Sequence, residues 1–426
     1  MSRLKSVIQG TALATSLALL LAGCGGSSGN SASDGASKSL SGTLSVASWA
    51  FLEPTRGDAL LKAVQEYSKT NKNATVKKVE VARADYEKTM STQLGAGQGP
   101  DILVIPDAFF PQLAKSNLLE PLDDVVKAAK PSKFRDINDN YKWQGKQLGV
   151  AWEVVPYALF YNKKILTQTG VKPPTTPEEL VSAQNTIKEK TGITGFTVRH
   201  QMGEATPWWT DQSNWEFGFG GQWSNGSKLT INSKKNVQAV EAYKKTYDGP
   251  GFGKGQDAST YRAAFKAGQL GMSIDNSSAV ATVVGDAVPS DQIGAEVLPF
   301  PGGGSAYAGF SIGINANSKH KELAKDWIKW MLSSDGQKLF ANTLFPSVIA
   351  TDTPADDKLL SANPWVAAFN EQVKKSSSVV IKGYEDHTAD ISTIILTQIS
   401  RVLAGEVSAQ DALNEAQAQA EAKYGK

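Results

Sequence analysis

Four tryptophans, Trp208, Trp209, Trp215 and Trp223, fall in the single segment TPWWTDQSNWEFGFGGQW together with Asp211, Gln212 and Asn214. Flat rings pack against C–H faces, while carboxylates and amides accept and donate hydrogen bonds in pairs. That combination suits a ligand with apolar faces and a hydroxyl rim, such as a pyranose. The segment reads as too polar and too broken by glycine for a simple core helix. Two of its rings, Trp223 among them, are expected to fill a core instead.

Other residues of the same kinds stand where elements end. Trp49 closes the strand-like GTLSVASWA and Glu53 follows in SWAFLEP; in open α/β sheets ligands bind beyond the carboxyl ends of strands. The competing roles are a ring packed between lobes and an acid at a helix start. Asp107 lies just past DILVIP at the same edge, whereas Asp101, at that strand's beginning, reads as a turn and cap residue. Trp152 and Tyr157 flank Pro156 in LGVAWEVVPYALFYNKKIL, a nearly unbroken apolar run of two strand-length pieces that fits a buried hinge. Asp275 and Asn276 end the short strand LGMSIDNS, with turn formation as the alternative. Tyr307 and Gly309 sit in PGGGSAYAG, where a glycine lets a ligand approach the backbone. Tyr384, Asp386 and His387 share the loop GYEDHTAD, which offers either a ring, a carboxylate and an imidazole to a sugar or an ordinary capped helix entry.

Enzyme chemistry is weakly encoded. GFSIG, Gly309 to Gly313, matches a nucleophile elbow followed by Asp386 and His387. An elbow needs a strand, a sharp turn at the serine and then a helix, but Ser311 sits inside a strand-like run and the next helix starts only near His320. His200, His320 and His387 have no zinc spacing, so neither metal nor cofactor is expected. GFGKG lacks the spacing of a phosphate loop. A glycoside hydrolase would also show rings and carboxylates; it needs two carboxyl groups about 5 to 10 Å apart across the scissile bond, which spacing cannot test. A binder of peptides or anions would expect clustered arginines at the cleft; only Arg83, Arg199 and Arg262 are plausible there, and no cluster of them is expected.

These residues require a scaffold of alternating strands and helices. Strands are expected at GTLSVASWA, TVKKVEV and PDILVIP, separated by helices at GDALLKAVQEYSKT and DYEKTMSTQLGAG, as two right-handed strand–helix–strand units. TTPEELVSAQNTIKEKTG is a helix capped at Thr176. Further helices are expected at NVQAVEAYKKTYD, TYRAAFKAGQ, HKELAKDWIKWMLSSDGQKLFAN and SAQDALNEAQAQAEAKYG. PGGGSAYAG and FPSVIATDTPAD are candidate second and third crossings between lobes.

The first residues carry an address. Arg3 and Lys5 precede an apolar run from Thr11 to Ala22, too short to span a bilayer. It ends in Leu21-Ala22-Gly23-Cys24, which resembles the bacterial lipobox. Cys24 is the single cysteine of the 426 residues, and acylation there would tether the chain to a membrane's outer face. Residues 25 to 41, rich in Gly, Ser and Asn, then read as a flexible leash. Loss of residues 1–23 lowers the formal charge of +2 to about zero, so nucleic acid is not an expected partner.

Five motifs in order, the lipobox, GQGPDILVIPDAFFPQLAKSNLLEPLDD, LFYNKKIL, AAFKAGQLGMSID and GFSIGINANSKHKELAKDWIKWMLSSDGQ, make the chain resemble the extracellular solute-binding lipoproteins of carbohydrate ABC importers. The resemblance covers essentially the whole chain. It implies an α/β fold of two lobes joined by three crossovers, as in periplasmic binding proteins, with 42–153 and 306–350 in one lobe and 154–305 and 351–426 in the other. It implies no catalysis, a monomer, an oligosaccharide ligand and a permease partner. It also implies a ligand carboxylate at Asp107 and a stacking ring at Trp208 or Trp209, which follow a proline.

Overall fold

The strand Val150–Asn162 is the axis of the molecule, and all of its residues are buried. The computed structural model describes residues 40–53 and 56–425. The apolar run expected to form two pieces parted at Pro156 is one continuous strand. Its partners explain why the proline is tolerated. Val150–Pro156 pairs antiparallel with Tyr307–Ile312, whereas Tyr157–Tyr161 pairs with Met272–Asn276 and Leu159–Asn162 with Ile293–Glu296. Pro156 sits where the ladder changes partners, a place where a missing N–H costs little.

The main sheet runs Ala74–Val79, Gly42–Ala47, Ile102–Pro106, Ser305–Ile314, Val150–Asn162, Leu270–Asn276, Thr194–Thr197. The first three are parallel, as two strand–helix–strand units require. Two expected helices are split. Residues 57–70 form Arg56–Gln65 and Tyr67–Thr70. Residues 320–342 form Lys321–Met331 and Ser334–Thr343, the second capped by Ser333 Oγ, which accepts from the Gly336 N–H at 3.2 Å.

Apolar side chains gather into two principal cores, which define two lobes. The first joins Leu44, Ile102, Val104, Trp152, Val154, Ile312 and Trp327. The second joins Tyr157, Leu159, Trp208, Trp215, Tyr243, Ile395 and Leu413. A smaller cluster around Phe160, Phe265, Trp365 and Phe369 adjoins the same end of the axial strand as the second. The chain leaves the first core at Val154 to Tyr157, returns to it at Ala306 to Tyr307 and leaves again between Ala350 and Trp365, with Val373 touching the first core once more before Ile381 joins the second. The third passage is tied to the axis by paired bonds between the Val154 and Val348 backbones, 2.8 and 2.9 Å.

The tryptophan-rich segment overturns one expectation. It forms the helix Ala205–Gly218, and every residue from Trp208 to Gly218 is buried. Most of its polar side chains find a partner inside it or beside it, although Gln212 Oε1 and Glu216 Oε2 are buried without one. Ser213 Oγ donates to Trp209 O at 2.8 Å and accepts from Trp223 Nε1 at 3.0 Å. Asn214 Nδ2 donates to Thr210 O, and its Oδ1 accepts from the Ala306 N–H at 2.9 Å, clamping the second crossing. Gly218 is required by contact: a Cβ there would lie 2.4 Å from the Phe300 ring.

Candidate functional site

Between the lobes lies a cavity of ≈ 770 Å³. The first lobe contributes Asp107 and Ala108, just past the strand Ile102–Pro106, and Arg83 and Glu87 near the start of the helix Tyr86–Gly95. The second contributes Tyr157, Arg199, Asn276 and, from the first turns of the helix Ala205–Gly218, Thr206, Trp209 and Thr210. Tyr307, Gly309 and Phe310 line it from the second crossing, and Thr388, Ser392 and Thr393 from the start of the helix Thr388–Ala404. Helix N-termini bring unpaired N–H groups and partial positive charge to this wall.

Asp107 is the best-defined acceptor. Its Oδ1 takes the Tyr141 hydroxyl proton at 2.7 Å, its Oδ2 that of Ser378 at 3.1 Å, and its N–H donates to Gly309 O at 3.0 Å. Desolvation pushes the carboxyl up to about 6, against the pull of the Tyr141 and Ser378 hydrogen bonds. Asn140 Nδ2 donates to the Tyr307 hydroxyl at 2.6 Å, fixing a second ring at the same wall. A neighbouring cavity of ≈ 520 Å³ shares Asp107 and is lined by Tyr141, Trp143, Trp223 and Lys382.

Across the cleft Arg199 donates through Nη1 to both oxygens of Asp211, at 3.1 and 2.9 Å. Asp275, fully buried, receives Arg262 through Nε and Nη2 at 2.8 and 2.9 Å and the Tyr261 hydroxyl at 2.8 Å, and lies 3.6 Å from Arg199. Burial opposes the charge on Arg199, but Asp211 and Asp275 outweigh it and hold its pKa above the ordinary value. Burial likewise works against the Asp275 charge, and Arg262 and Arg199 reverse that, leaving Asp275 below the usual carboxylate range.

The remaining sequence candidates are placed as follows. Trp209 reaches the cavity, with its Nε1 donating to Val379 O at 3.1 Å and its ring stacked on Trp223 at 4.8 Å. Trp208 and Trp215 lie in the second core. Trp223, expected in a core, is buried there but also faces the smaller cavity. Trp152 turns into the first core, 4.8 Å from the Phe340 ring, and is not among the residues lining the cleft. The physical reason is a register slip: Phe310 opposes Glu153 and Ser311 opposes Ala151, so Trp152 is the bulged residue whose side chain is re-aimed. Trp49 packs edge-on to Tyr86 and against Phe310, with the Arg83 guanidinium 4.7 Å from its ring centre, so it backs the wall from behind. Glu53 pairs with Arg56 at 3.0 Å, and Arg56 also holds Glu153 at 2.6 Å, a hinge residue that further accepts from Ser347.

Asp275 stands behind Asn276 in the ion cluster rather than on the cavity surface. Tyr384 is buried in the second core, Asp386 pairs with Lys115 of the first lobe, and His387 stacks on Tyr424 at 4.4 Å. Asp101 is the turn and cap residue expected, accepting from the Ser45 N–H and hydroxyl and from Ser318. Sequence reasoning missed Thr206, Thr388 and Ser392, for which the legible signal was that a helix start after a turn delivers its first two turns to a cleft. Arg199 was weighed only as an arginine of an anion or peptide binder, yet it lines the cavity and lies beside Arg262 around Asp275.

A family model described as bacterial extracellular solute-binding protein matches residues 53–338. Among individual proteins, the chain is 28% identical over 284 residues to the diacetylchitobiose binding protein DasA of Streptomyces coelicolor, a stretch that is 61% of this chain and 63% of that protein. The GacH receptor of Streptomyces glaucescens, solved unliganded and with acarbose, superposes with a TM-score of 0.76 at 22% identity, over 91% of this chain and 100% of that one. The cyclic α-maltosyl-1,6-maltose binding protein of Arthrobacter globiformis gives 0.76 at 20% identity, over 90% and 98%. At these identities the two structures establish a shared fold.

Proposed function

Because this chain belongs to the bacterial extracellular solute-binding proteins, we propose that it is the receptor of a carbohydrate ABC importer. In this reading it captures a short oligosaccharide between its lobes, closes on it, delivers it to a membrane permease and catalyses nothing. The observation that carries the reading is the cleft wall, where Asp107 from one lobe meets Tyr157, Trp209 and Asn276 from the other around one cavity. A ligand touching both lobes favours the closed form, since only differential affinity shifts such an equilibrium. Hydrogen bonds to charged groups contribute about 1.5 to 3 kcal/mol each and stacked rings about 0.5 to 1.5 beyond area burial, so a few of each approach the ~8 kcal/mol of micromolar binding. A relative named for diacetylchitobiose and a fold neighbour solved with acarbose point the same way.

The serine-hydrolase alternative lacks geometry. Ser311 lies mid-strand and fully buried, Asp386 is engaged by Lys115 and His387 by Tyr424. We further propose the lobe division 42–153 with 306–350 and 154–305 with 351–426, and a monomer anchored on the outer membrane face through acylated Cys24, which lies outside the described residues. Thermal shift and calorimetry across a saccharide panel, with chromatography for cleavage products, test the receptor. Binding with intact sugar supports it, and cleavage or a flat panel refutes it. Labelled palmitate should enter the wild type and not Cys24→Ser, which should be released from the membrane.

A further inference from the structure

We propose that Arg199 is the second lobe's ligand-orienting donor, placed opposite the Asp107 acceptor so that a bound saccharide must offer an acceptor oxygen to one lobe and a hydroxyl proton to the other. This rests on the carbohydrate reading above and specifies how that ligand lies.

Arg199 is 5% exposed, yet lines the cavity. Only its Nη1 is consumed, by the two oxygens of Asp211. Its Nε is enclosed beside the Glu204 carboxylate at 3.4 Å. No described residue accepts from its Nη2, the nitrogen left to the cavity. An unpartnered N–H on a buried guanidinium is costly unless something fills it. A guanidinium has only donors, so that something must be an acceptor.

The acceptor is neutral. Arg199 and Arg262 are already balanced by Asp211 and Asp275, and Asp107 stands in the same cavity with hydroxyl partners only, from Tyr141 and Ser378. An anionic sugar would meet an unneutralised carboxylate in a desolvated cleft. A hydroxyl, ring or acetamido oxygen meets no such opposition.

The orientation follows from the opposed chemistry of the two ends. Asp107, when ionised, accepts only; Arg199 donates only. A hydroxyl can serve either end, but a ring, glycosidic or acetamido oxygen accepts only, so it is admitted at Arg199 and opposed at Asp107, and that fixes the direction in which the ligand lies.

Arg199→Lys and the charge-neutral double variant Arg199→Gln/Asp211→Asn test this. The lysine keeps a cation for Asp211 but loses the planar fork; the double variant avoids a stranded buried carboxylate. Calorimetry of both is run on the saccharide that the wild-type panel shows bound tightest, beside a uronic-acid-containing oligosaccharide. The expected result is a 10- to 100-fold loss of affinity in both variants with the empty lysine variant still folded, and no wild-type binding of the uronate. Neutral-sugar affinity unchanged in either folded variant, or uronate binding as tight as the neutral sugar's, overturns the inference. A wild type that binds no saccharide at all instead defeats the functional reading on which it rests.

Discussion

Gly309 leaves to Asp107 the space a side chain would take: a Cβ built on Gly309 would lie 2.3 Å from Asp107 Oδ2 and 2.5 Å from its Oδ1. The same glycine accepts the Asp107 N–H through its carbonyl, so backbone and carboxylate of Asp107 are both set by one position on the second crossing. Gly309→Ala must displace the carboxylate. We expect at least a tenfold loss of saccharide affinity and a lower melting temperature. In Gly309→Ala/Asp107→Ala the melting temperature should recover while affinity does not, which thermal shift and calorimetry together will show.

Two carboxyl groups give the empty protein a pH signature. Desolvation raises Asp107 to about 6 and Glu216, buried in the helix Ala205–Gly218, to about 8. A folded-state pKa above the unfolded value means the folded chain binds the proton more tightly. The stabilising contribution is therefore complete below the unfolded value of about 4 and is lost as pH rises through about 6 for Asp107 and about 8 for Glu216. Melting curves at stepped pH should show Asp107→Asn flattening the lower window and Glu216→Gln the upper one. Sugar affinity should run the other way, weakening as pH falls below about 6 and the Asp107 acceptor takes a proton.

Trp209 and Trp215 sit on one helix with different duties. Trp215 packs between Tyr243 and Phe300, with ring centres at 5.0 and 4.6 Å, so Trp215→Ala should cost about 3 to 5 kcal/mol of stability. Trp209 is nearly as buried, so Trp209→Ala should also lower the melting temperature, but it alone removes a cleft ring. Trp209→Phe separates the two effects: stability largely retained, affinity reduced by loss of ring area and of the anchor to Val379. Equal affinity in Trp209→Phe and wild type would remove this ring from the ligand contacts.

Lys115 and Asp386 join the lobes by an ion pair whose side chains are 64% and 31% exposed. Exposed pairs contribute at most about 1 kcal/mol. Asp386→Ala should change sugar affinity by no more than about fivefold, and less still at high salt, whereas Asp107→Ala should cost far more. A loss from Asp386→Ala matching that of Asp107→Ala would mean that Asp386 leaves Lys115 to hold ligand.

The sequence by itself determined the alternation of elements, the parallel order of the first three strands and the roles of Asp101 and the strand-bound Ser311, because period, caps and glycines act over a few residues. It also marked Asp107 and Asn276, since a strand's end is visible in its own residues, and Tyr307 and Gly309 through the glycine-rich PGGGSAYAG. What only the tertiary structure decided was direction and partnership. Trp152 faces the core because a bulge opposite residues some 160 positions away re-aims it. Asp211 is tolerated in a buried helix because Arg199 arrives from another element, and Asp386 is held by a lysine of the other lobe. A helix of polar and aromatic residues looks like a loop until its partners are in place, and some of these lie outside the helix, as Arg199 does for Asp211 and the Ala306 N–H for Asn214.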